Sequence, residues 1–310
     1  MPNIVPRLLK ETTGETLFDK FVLNFFKGIY LIVRLSLRVA LGKKRRDRLY
    51  IDRKIGFNSF LHKSMRFLHL HNLILLKIYV PKYDYRFFCR NNNEDYTFMT
   101  GYEDDLIKFF IPEEGDTVVD IGAHIGHYTI LSSMRVGPSG KVVSIEAHRG
   151  NFDMLNRNVK LNHLNNVVTL NYAVFSKDTK INLYLPAQES DFTIYNTVMT
   201  DRGGKDGEKF VEVDANTLDN LLQQNGISAG DVNWVKIDVE GAELEVLRGA
   251  HNVLSKSENI SLLIEVHGSH LYEPIKEFIH GFNFAVEFEK SNEAGDWRHI
   301  LARKQQKKTA

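Results

Sequence analysis

Short apolar runs alternate with longer amphipathic segments from about residue 116 onward. Five of these runs are rich in Val and Ile and predict buried β-strands: TVVDI (117–121), VVSIE (142–146), VVTLNY (167–172), WVKIDV (234–239) and LLIEV (262–266). Amphipathic segments of about ten or more residues separate the first three runs, and again the last two. Strands that are apolar on both faces and alternate with helices indicate a parallel sheet that is covered by helices on both sides.

Two departures from this alternation complete the predicted fold. In residues 176–215, INLYLP and KFVEVDA predict strands around a charged, glycine-rich loop, which indicates an inserted β-hairpin or meander beside the substrate cleft. After a helix predicted around 270–280, FNFAVEF and RHILAR predict two final strands joined by a polar turn. The expected fold is therefore an α/β, doubly wound, mostly parallel seven-stranded sheet that ends in an antiparallel hairpin.

The first part of the chain has a different pattern. Residues 17–41 and 55–76 predict helices, and KIYVPKYDYRFFC (77–89) predicts an extended lead-in to the sheet. We therefore expect a basic, amphipathic helical extension over 1–77, the α/β domain over 78–303 and a flexible tail over 304–310.

Basic residues are concentrated in this extension. Residues 1–82 hold 17 Lys and Arg against 5 Asp and Glu, whereas the remainder holds 23 against 34. On a helix over 17–41, the polar residues form one stripe opposite a wide apolar face, namely Lys20, Asn24, Lys27, Arg34 and Arg38. Such a helix suits the interface of an anionic membrane, and it equally suits packing against residues 55–76 or the core as a cap over the active site.

Other features restrict the location of the protein. The single cysteine, Cys89, excludes an intrachain disulfide and zinc sites built from several thiolates. The longest uncharged apolar stretch in 17–41 runs only from Gly28 to Val33, far short of the roughly 20 residues that cross a bilayer. The first residues lack the basic run and apolar core of a secretory leader. We expect a cytoplasmic protein, with a peripheral position on the inner face of the membrane as the alternative.

The segment VVDIGAHIGHY (118–128) predicts a ligand-binding turn. A strand ends at Asp120, Gly122 and Gly126 follow, and a helix is expected to begin near His127. Glycines at such a turn let a ligand approach the backbone, and the helix offers free N–H groups. The pattern D-x-G-x-x-x-G differs from the dinucleotide pattern G-x-G-x-x-G, and its carboxylate suits an ammonium and a sulfonium cation, as in S-adenosylmethionine. A tight turn without a ligand is the alternative.

Two further residues extend this predicted donor site. Glu146 ends the second strand, where a carboxylate can accept both ribose hydroxyls of a nucleoside. NAD proteins use the same device, so Glu146 indicates a nucleoside without specifying which one, and a surface acid at a strand end is the other interpretation. Asn171, beyond the third strand, suits either the adenine edge or an ordinary turn.

The reacting groups are expected at the ends of the fourth and fifth strands. Asp238 and Glu240 lie in VKIDVEGAELEVLRGA (235–250), and Glu265 and His267 lie in IEVHGSH. Open α/β sheets bind ligands at this edge, so we expect Asp238, Glu240 and His267 to be catalytic, with His267 preferred as the base that deprotonates a hydroxyl. Alternatively, the first two acids cap a helix beginning at Gly241, or the four side chains hold Mg or Mn.

These motifs together resemble one known family. VVDIGAHIGHYT, IEAHRGNFDMLNRNVKLN, LDNLL and KIDVEGAELEVLRGA are similar to the FkbM-type S-adenosylmethionine-dependent methyltransferases over about residues 78–303, and the last motif is the most specific. The resemblance implies a class I methyltransferase fold, which is Rossmann-like, and donor roles for Asp120, Gly122, Gly126 and Glu146. Ala147 departs from the proline common in the family. The family supplies no transferable base.

The resemblance also implies an activity. We expect O-methylation of a hydroxyl on a sugar, a glycolipid or a natural product, with a small-molecule, sugar or lipid-linked acceptor as the partner. Amino methylation of bases usually needs an Asn-Pro-Pro-Tyr type loop, which KIDVEGAE does not resemble. Two alternatives remain open: methylation of an RNA ribose 2′-hydroxyl through the basic extension, although a nucleic-acid partner is not favoured, and a nonenzymatic nucleoside-binding module.

Overall fold

The structure is a computed structural model that describes residues 76–80, 83–89, 104–184, 209–291 and 297–306. The helix predicted over 17–41, the glycine-rich loop of the insert and the last residues of the tail lie outside these ranges. So does the helix predicted over 55–76, apart from Leu76, which lies in a strand. Among the described helices, none combines the length and the apolar character that crossing a membrane requires.

The described elements follow the predicted alternation. The strands are β1 (Leu76–Val80), β2 (Tyr85–Cys89), β3 (Thr117–Ile121), β4 (Lys141–Ile145), β5 (Val167–Leu170), β6 (Ala173–Val174), β7 (Thr179–Tyr184), β8 (Phe210–Asn216), β9 (Val232–Ile237), β10 (Ser261–His267), β11 (Phe284–Ser291) and β12 (Trp297–Lys304). The helices are α1 (Asp104–Ile107), α2 (His127–Val136), α3 (Arg149–Leu161), α4 (Leu218–Gln224), α5 (Glu243–Arg248), α6 (His251–Lys256) and α7 (Ser269–Gly281). Each of the five predicted apolar runs contains a strand.

Seven strands form the central sheet in the order β11-β12-β10-β9-β3-β4-β5. Strand β12 runs antiparallel to both of its neighbours, and the other pairings are parallel. This is the class I methyltransferase arrangement, so the predicted seven-stranded sheet with its C-terminal antiparallel hairpin is confirmed. The strand order reverses between β3 and β9, and the carboxyl ends of these two strands therefore border the crevice where such sheets bind ligands.

Burial on both faces explains why these runs form strands. Every residue of β3 is buried, and successive side chains point to opposite faces of the sheet. On one face Val119 packs with residues of α4 to α7, and on the other face Val118 packs with residues of α1 and α2. Alternating polar residues would leave one of these helical layers without an apolar surface to cover.

The insert forms a second, smaller sheet in the order β6-β8-β7. Strands β7 and β8 pair antiparallel, as the sequence predicts, while β6 adds a short parallel pairing with β8. Leu183 of β7 is 3% exposed and clusters with Ala242, which precedes α5. This contact brings the insert to the loop that follows β9.

The extended lead-in folds into the antiparallel hairpin of β1 and β2, which packs against α3. Asn158 of α3 is fully buried and joins the hairpin to the glycine turn. Its Oδ1 accepts the N–H of Phe88 at 2.6 Å, and its Nδ2 donates to the carbonyls of Phe88 at 3.0 Å and Ile125 at 2.8 Å. One side chain therefore connects β2, α3 and the turn that precedes α2.

Candidate functional site

A cleft of about 640 Å³, a volume that includes its open mouth, lies at the carboxyl ends of β3, β4 and β9. The polar lining includes several of the predicted residues, and the insert contributes part of the apolar wall: Gly122, His124, Glu146, Asn151, Tyr172, Val174, Leu183, Asp238 and Glu240. The crevice predicted from the strand order is therefore present.

Glycine is required at both predicted positions of the turn after β3. Gly122 has φ +74°, and a Cβ there would lie 1.8 Å from the carbonyl oxygen of Asp238. Gly126 has φ +100°, and a Cβ there would lie 2.7 Å from Cδ1 of Leu155 on α3. Because neither contact could accommodate a side chain, the glycines let the turn pack against the end of β9 and against α3.

Glu146 lies in the cleft wall with its carboxylate held from two sides. Its Oε2 accepts the N–H of His124 at 2.8 Å, and its Oε1 accepts the N–H of His148 at 2.8 Å. Burial raises its pKa to about 7, although these hydrogen bonds act in the opposite direction. Each carboxylate oxygen has two lone pairs, so acceptor capacity remains for a vicinal diol. Asn151, which the sequence reasoning missed, also lines the cleft and places its Nδ2 3.4 Å from Oε1 of Glu146.

Asp120, which was expected to contact the donor, lies buried at the end of β3. Its carboxylate is fully buried and is not part of the cleft lining. Oδ2 accepts the hydroxyl of Thr129 on α2 at 2.7 Å, and Oδ1 lies 4.0 Å from Nζ of Lys236. Burial raises the pKa of Asp120, and the charge of Lys236 opposes that shift. The carboxylate therefore lies between β3, α2 and β9, and its expected contact with the donor stays a prediction.

The side chain of Asn171 makes hydrogen bonds to the backbone. Its Nδ2 donates to the carbonyl of Glu146 at 2.8 Å and to that of Ala147 at 2.9 Å. Its side chain is outside the cleft lining. Of the two interpretations of this residue, the structure favours the turn asparagine, which here fixes the backbone that carries Glu146.

A cluster of acidic side chains surrounds His267 at the ends of β9 and β10. Nδ1 of His267 lies 3.0 Å from Oε1 of Glu243, and Nε2 lies 3.4 Å from both Oε2 of Glu240 and Oε1 of Glu265. Burial lowers the pKa of His267, but hydrogen bonds with Glu243 and Glu265 outweigh this effect and raise it to about 11. This shift favours the imidazolium form of the ring. An imidazolium has no lone pair, which does not fit the expected role of His267 as the base.

In the same cluster, the pKa values of two carboxyl groups are shifted in opposite directions. Burial raises the pKa of Glu240 to about 8, although the charge of His267 acts against this shift. Burial also acts to raise the pKa of Glu265, but hydrogen bonds with His267 and His299 outweigh it and lower the pKa of this residue. The pKa values of two carboxyl groups beside one histidine are thus shifted in opposite directions.

The chain between β9 and α5 bends sharply, with φ of 55° at Glu240 and 106° at Gly241. These left-handed conformations exclude a helix start at Gly241, and that prediction was wrong. Helix α5 begins at Glu243, and its N-cap Ala242 makes no side-chain bond. Oε1 of Glu243 instead accepts the N–H of Gly241 at 2.9 Å. Glu243 was not expected in the site, although it lies in the motif KIDVEGAELEVLRGA, three residues after Glu240.

Asp238 completes the cluster beside a lysine. Nζ of Lys236 lies 3.0 Å from Oδ2 of Asp238. Asp238, Glu240 and His267 also present one ligand atom each within 4.8 Å of one another, a spacing that fits a divalent cation. Ligation would require a neutral imidazole, so a metal-bound state and the imidazolium state exclude each other.

A comparison with protein families places this site in context. Residues 120–307, more than half of the chain, match the family model described as the methyltransferase FkbM domain. The chain belongs to the FkbM methyltransferase family. The resemblance read from the sequence motifs is thereby confirmed, and the matched residues include the glycine turn, Glu146 and the acidic cluster. For an FkbM methyltransferase with the class I arrangement, S-adenosylmethionine is the indicated methyl donor.

The chain is also similar to individual methyltransferases. Hexuronic acid methyltransferase AglP of Haloferax volcanii is 26% identical over 208 residues, which cover 66% of this chain and 77% of AglP. Methyltransferase sdnD of Sordaria araneosa is 30% identical over 156 residues, covering 43% of this chain and 59% of that protein. The crystal structure of methyltransferase FkbM from Methylobacillus flagellatus KT superposes with a TM-score of 0.42 at 16% identity, covering 62% of this chain and 44% of that one. This chain spans less than two thirds of the last two proteins.

Proposed function

We propose that this FkbM protein transfers the methyl group of S-adenosylmethionine to a hydroxyl of a sugar, a glycolipid or a natural product. The observation that carries the proposal is that Asp238 and Glu240 line the same cleft as Gly122 and Glu146. A nucleoside held by the glycine turn and Glu146 would thus have its reactive end beside two carboxyl groups. Proximity and alignment of the reacting groups supply much of the acceleration in such transfers.

The donor, when bound, supplies an electrophilic methyl carbon on a sulfonium. The acceptor oxygen forms a bond to this carbon, the carbon–sulfur bond breaks with its electron pair remaining on sulfur, and the hydroxyl proton passes to a side chain. We assign the proton to Glu240, which borders the cleft and has its carboxylate 3.4 Å from Nε2 of His267. Its raised pKa supports this role, because the ionised carboxylate, formed as the pH approaches about 8, is a stronger base than an ordinary carboxylate.

Asp238 and His267 have supporting parts in the proposal. Asp238 lines the cleft and accepts one hydrogen bond from Lys236, so it has remaining lone pairs with which to orient the acceptor hydroxyl. His267, as an imidazolium, places its positive charge beside Glu240 and holds that carboxylate in position. The catalytic set proposed from the sequence is kept, while the role of base moves from His267 to Glu240.

The name of AglP supports a sugar as the acceptor, since that relative is a hexuronic acid methyltransferase. A lipid-linked acceptor and a peripheral membrane position rest on the basic extension over 1–77, of which the structure describes only residues 76 and 77. Both remain predictions. Flotation of the full chain with anionic vesicles, compared with a chain lacking residues 1–54, tests the membrane contact; equal flotation would contradict it.

The direct test is a transfer assay with labelled S-adenosylmethionine and a panel of sugar, glycolipid and natural-product acceptors. Asp238→Asn and Glu240→Gln should lower kcat about 10²-fold or more while leaving the donor Kd close to that of the parent. Glu245→Gln is the matched control, because Glu245 also lies at the start of α5 but pairs with Arg248. Normal kcat in both site variants would contradict the assignment.

Three further results would redirect the proposal. Loss of turnover with a chelator, restored by Mg²⁺ or Mn²⁺, would favour a metal-assisted reaction at Asp238, Glu240 and His267. Turnover on RNA with salt-sensitive binding would make a ribose hydroxyl the acceptor. Donor binding without turnover on any acceptor would favour a nucleoside-binding module.

A further inference from the structure

Glu243 is a buried acid that neither the motifs nor the proposed reaction explains. Its side chain is 0% exposed, although it is the first residue of a helix whose start lies beside the cleft. Oε1 accepts the N–H of Gly241 at 2.9 Å and lies 3.0 Å from Nδ1 of His267. Oε2 has no hydrogen-bond partner among the described residues. The single oxygen Oε1 therefore connects the bend after β9 to the end of β10.

Helix stability does not require this burial. An acid in the first turn of a helix interacts favourably with the helix dipole even when it is exposed, and Glu245 already supplies one. Burying a carboxylate is costly unless it is compensated by hydrogen bonds or charge. The compensation here comes from the N–H of Gly241 and from the ring of His267, both of which adjoin Glu240.

The two contacts restrain Glu240 by separate routes. Through Gly241, Glu243 stabilises the left-handed bend that directs the backbone of Glu240. Through His267, it occupies Nδ1 and so leaves Nε2 between Oε2 of Glu240 and Oε1 of Glu265, 3.4 Å from each. A histidine whose Nδ1–H donates to a carboxylate has a fixed ring orientation, which is how a carboxylate positions a histidine in many active sites.

We infer that Glu243 is a positioning residue for methyl transfer: it orients His267 and the Glu240 bend so that the Glu240 carboxylate faces the acceptor. The inference rests on the proposed function, since Glu240 is assigned there as the base. It predicts an effect on the reaction step and on the His267 ring, with donor binding preserved.

The test uses the full chain with Glu243→Ala and Glu243→Gln, and with Glu245→Gln as the control on the same helix. Glu243→Ala should lower kcat about 10²-fold or more, in the range seen when an orienting carboxylate is lost, with the donor Kd within about twofold. Glu243→Gln, whose amide oxygen can still accept both bonds, should recover part of kcat. Proton NMR should show the slowly exchanging Nδ1–H of His267, assigned with His267→Gln, in the parent and the control but not in Glu243→Ala.

A folded Glu243→Ala variant with normal kcat, or with the Nδ1–H signal unchanged, would overturn the inference and leave Glu243 as a helix-end residue. If Glu243→Ala does not fold, Glu243→Asp replaces it, because the shorter acid keeps the charge but withdraws its oxygens from His267. Normal kcat and an unchanged signal in that variant would likewise overturn the inference. If the parent methylates no hydroxyl at all, the proposed function fails, and the NMR comparison still decides whether Glu243 orients His267.

Discussion

Glu146→Ala should weaken donor binding while leaving the fold intact. The carboxylate of Glu146 is 7% exposed and lines the cleft, and its two oxygens accept the N–H groups of His124 and His148. These N–H groups belong to the turns after β3 and β4, so the side chain both shapes the wall and presents the acceptor atoms. Removing it takes away the proposed contacts to the ribose and opens space that water can fill.

The magnitude follows from the number of hydrogen bonds. A hydrogen bond to a charged acceptor contributes about 1.5–3 kcal/mol, so two ribose contacts at the lower end contribute about 3 kcal/mol. That loss corresponds to an increase in Kd on the order of a hundredfold. Asp120→Ala should act differently, because Asp120 does not line the cleft. We expect it to lower the free energy of unfolding more than it changes the donor Kd of the folded protein.

Calorimetry with S-adenosylmethionine on folded variants measures the effect, and Asp153→Ala is the matched control. Asp153 is an exposed acid on α3 that pairs with Arg149, away from the cleft lining, so its loss should leave Kd unchanged. An unchanged Kd in Glu146→Ala would refute the assignment of the ribose site. Tight NAD binding by the parent would refute the choice of donor.

The pH dependence provides an independent check on Glu146. Its pKa is raised from 4.5 to about 7, so the folded state keeps a proton that the unfolded state releases between these values. The contribution of Glu146 to the free energy of unfolding therefore falls as pH rises through this window. Donor affinity should rise through pH 7, because the carboxylate is the stronger acceptor. Glu146→Gln should remove both dependences, and their persistence in that variant would show that another group titrates.

Other contacts give equally specific predictions. Gly122→Ala should abolish donor binding and reduce the melting temperature, because its Cβ would meet the carbonyl of Asp238. Gly226 also has a positive φ but faces open space, so Gly226→Ala should lower the free energy of unfolding by only about 1 kcal/mol. Equal effects of the two substitutions would contradict the steric argument. Asn158→Ala should lower the free energy of unfolding by about 2–3 kcal/mol in urea titrations, since three buried hydrogen bonds are lost. A change below about 1 kcal/mol would indicate that contacts other than these hydrogen bonds hold the hairpin of β1 and β2 in place. Turnover should rise with pH toward about 8 as Glu240 loses its proton, and Glu240→Gln should flatten this rise; a rise retained in the variant would exclude Glu240 as its source.

The fold could be read from the sequence because burial dominates its strands. TVVDI and LLIEV are nearly continuous apolar runs, and a strand that is covered on both faces requires such a run. The C-terminal hairpin and the strands of the insert were predicted for the related reason that each apolar run is bounded by turn residues. The resemblance of the motifs to the FkbM family then implied the class I order of the elements around the cleft.

The directions of polar side chains could not be read in this way. Asp120 was expected at the donor, and Asn171 either at the adenine edge or in an ordinary turn. The sequence did not show that Asp120 pairs with Thr129, or that Asn171 donates to the carbonyls of Glu146 and Ala147. The protonation of His267 depends on acids from separate elements, which no local pattern brings together. The interpretation of 17–41 as a membrane or packing helix falls outside the described residues and stays a prediction.

The position of β3 in the sheet determines when the cleft comes into existence during synthesis. Strand β3 lies between β4, which follows it closely in the chain, and β9, which begins only at Val232. A nascent chain that stops before β9 would leave one edge of β3 unpaired. It would also lack the Asp238 carbonyl against which Gly122 packs. Donor binding should therefore be absent from ribosome-stalled chains that end at residue 225 and present once β9 and α5 have emerged. The cleft is therefore completed late in synthesis. Until β9 has emerged, the exposed edge of β3 can pair with other chains, so aggregation competes with folding during this interval.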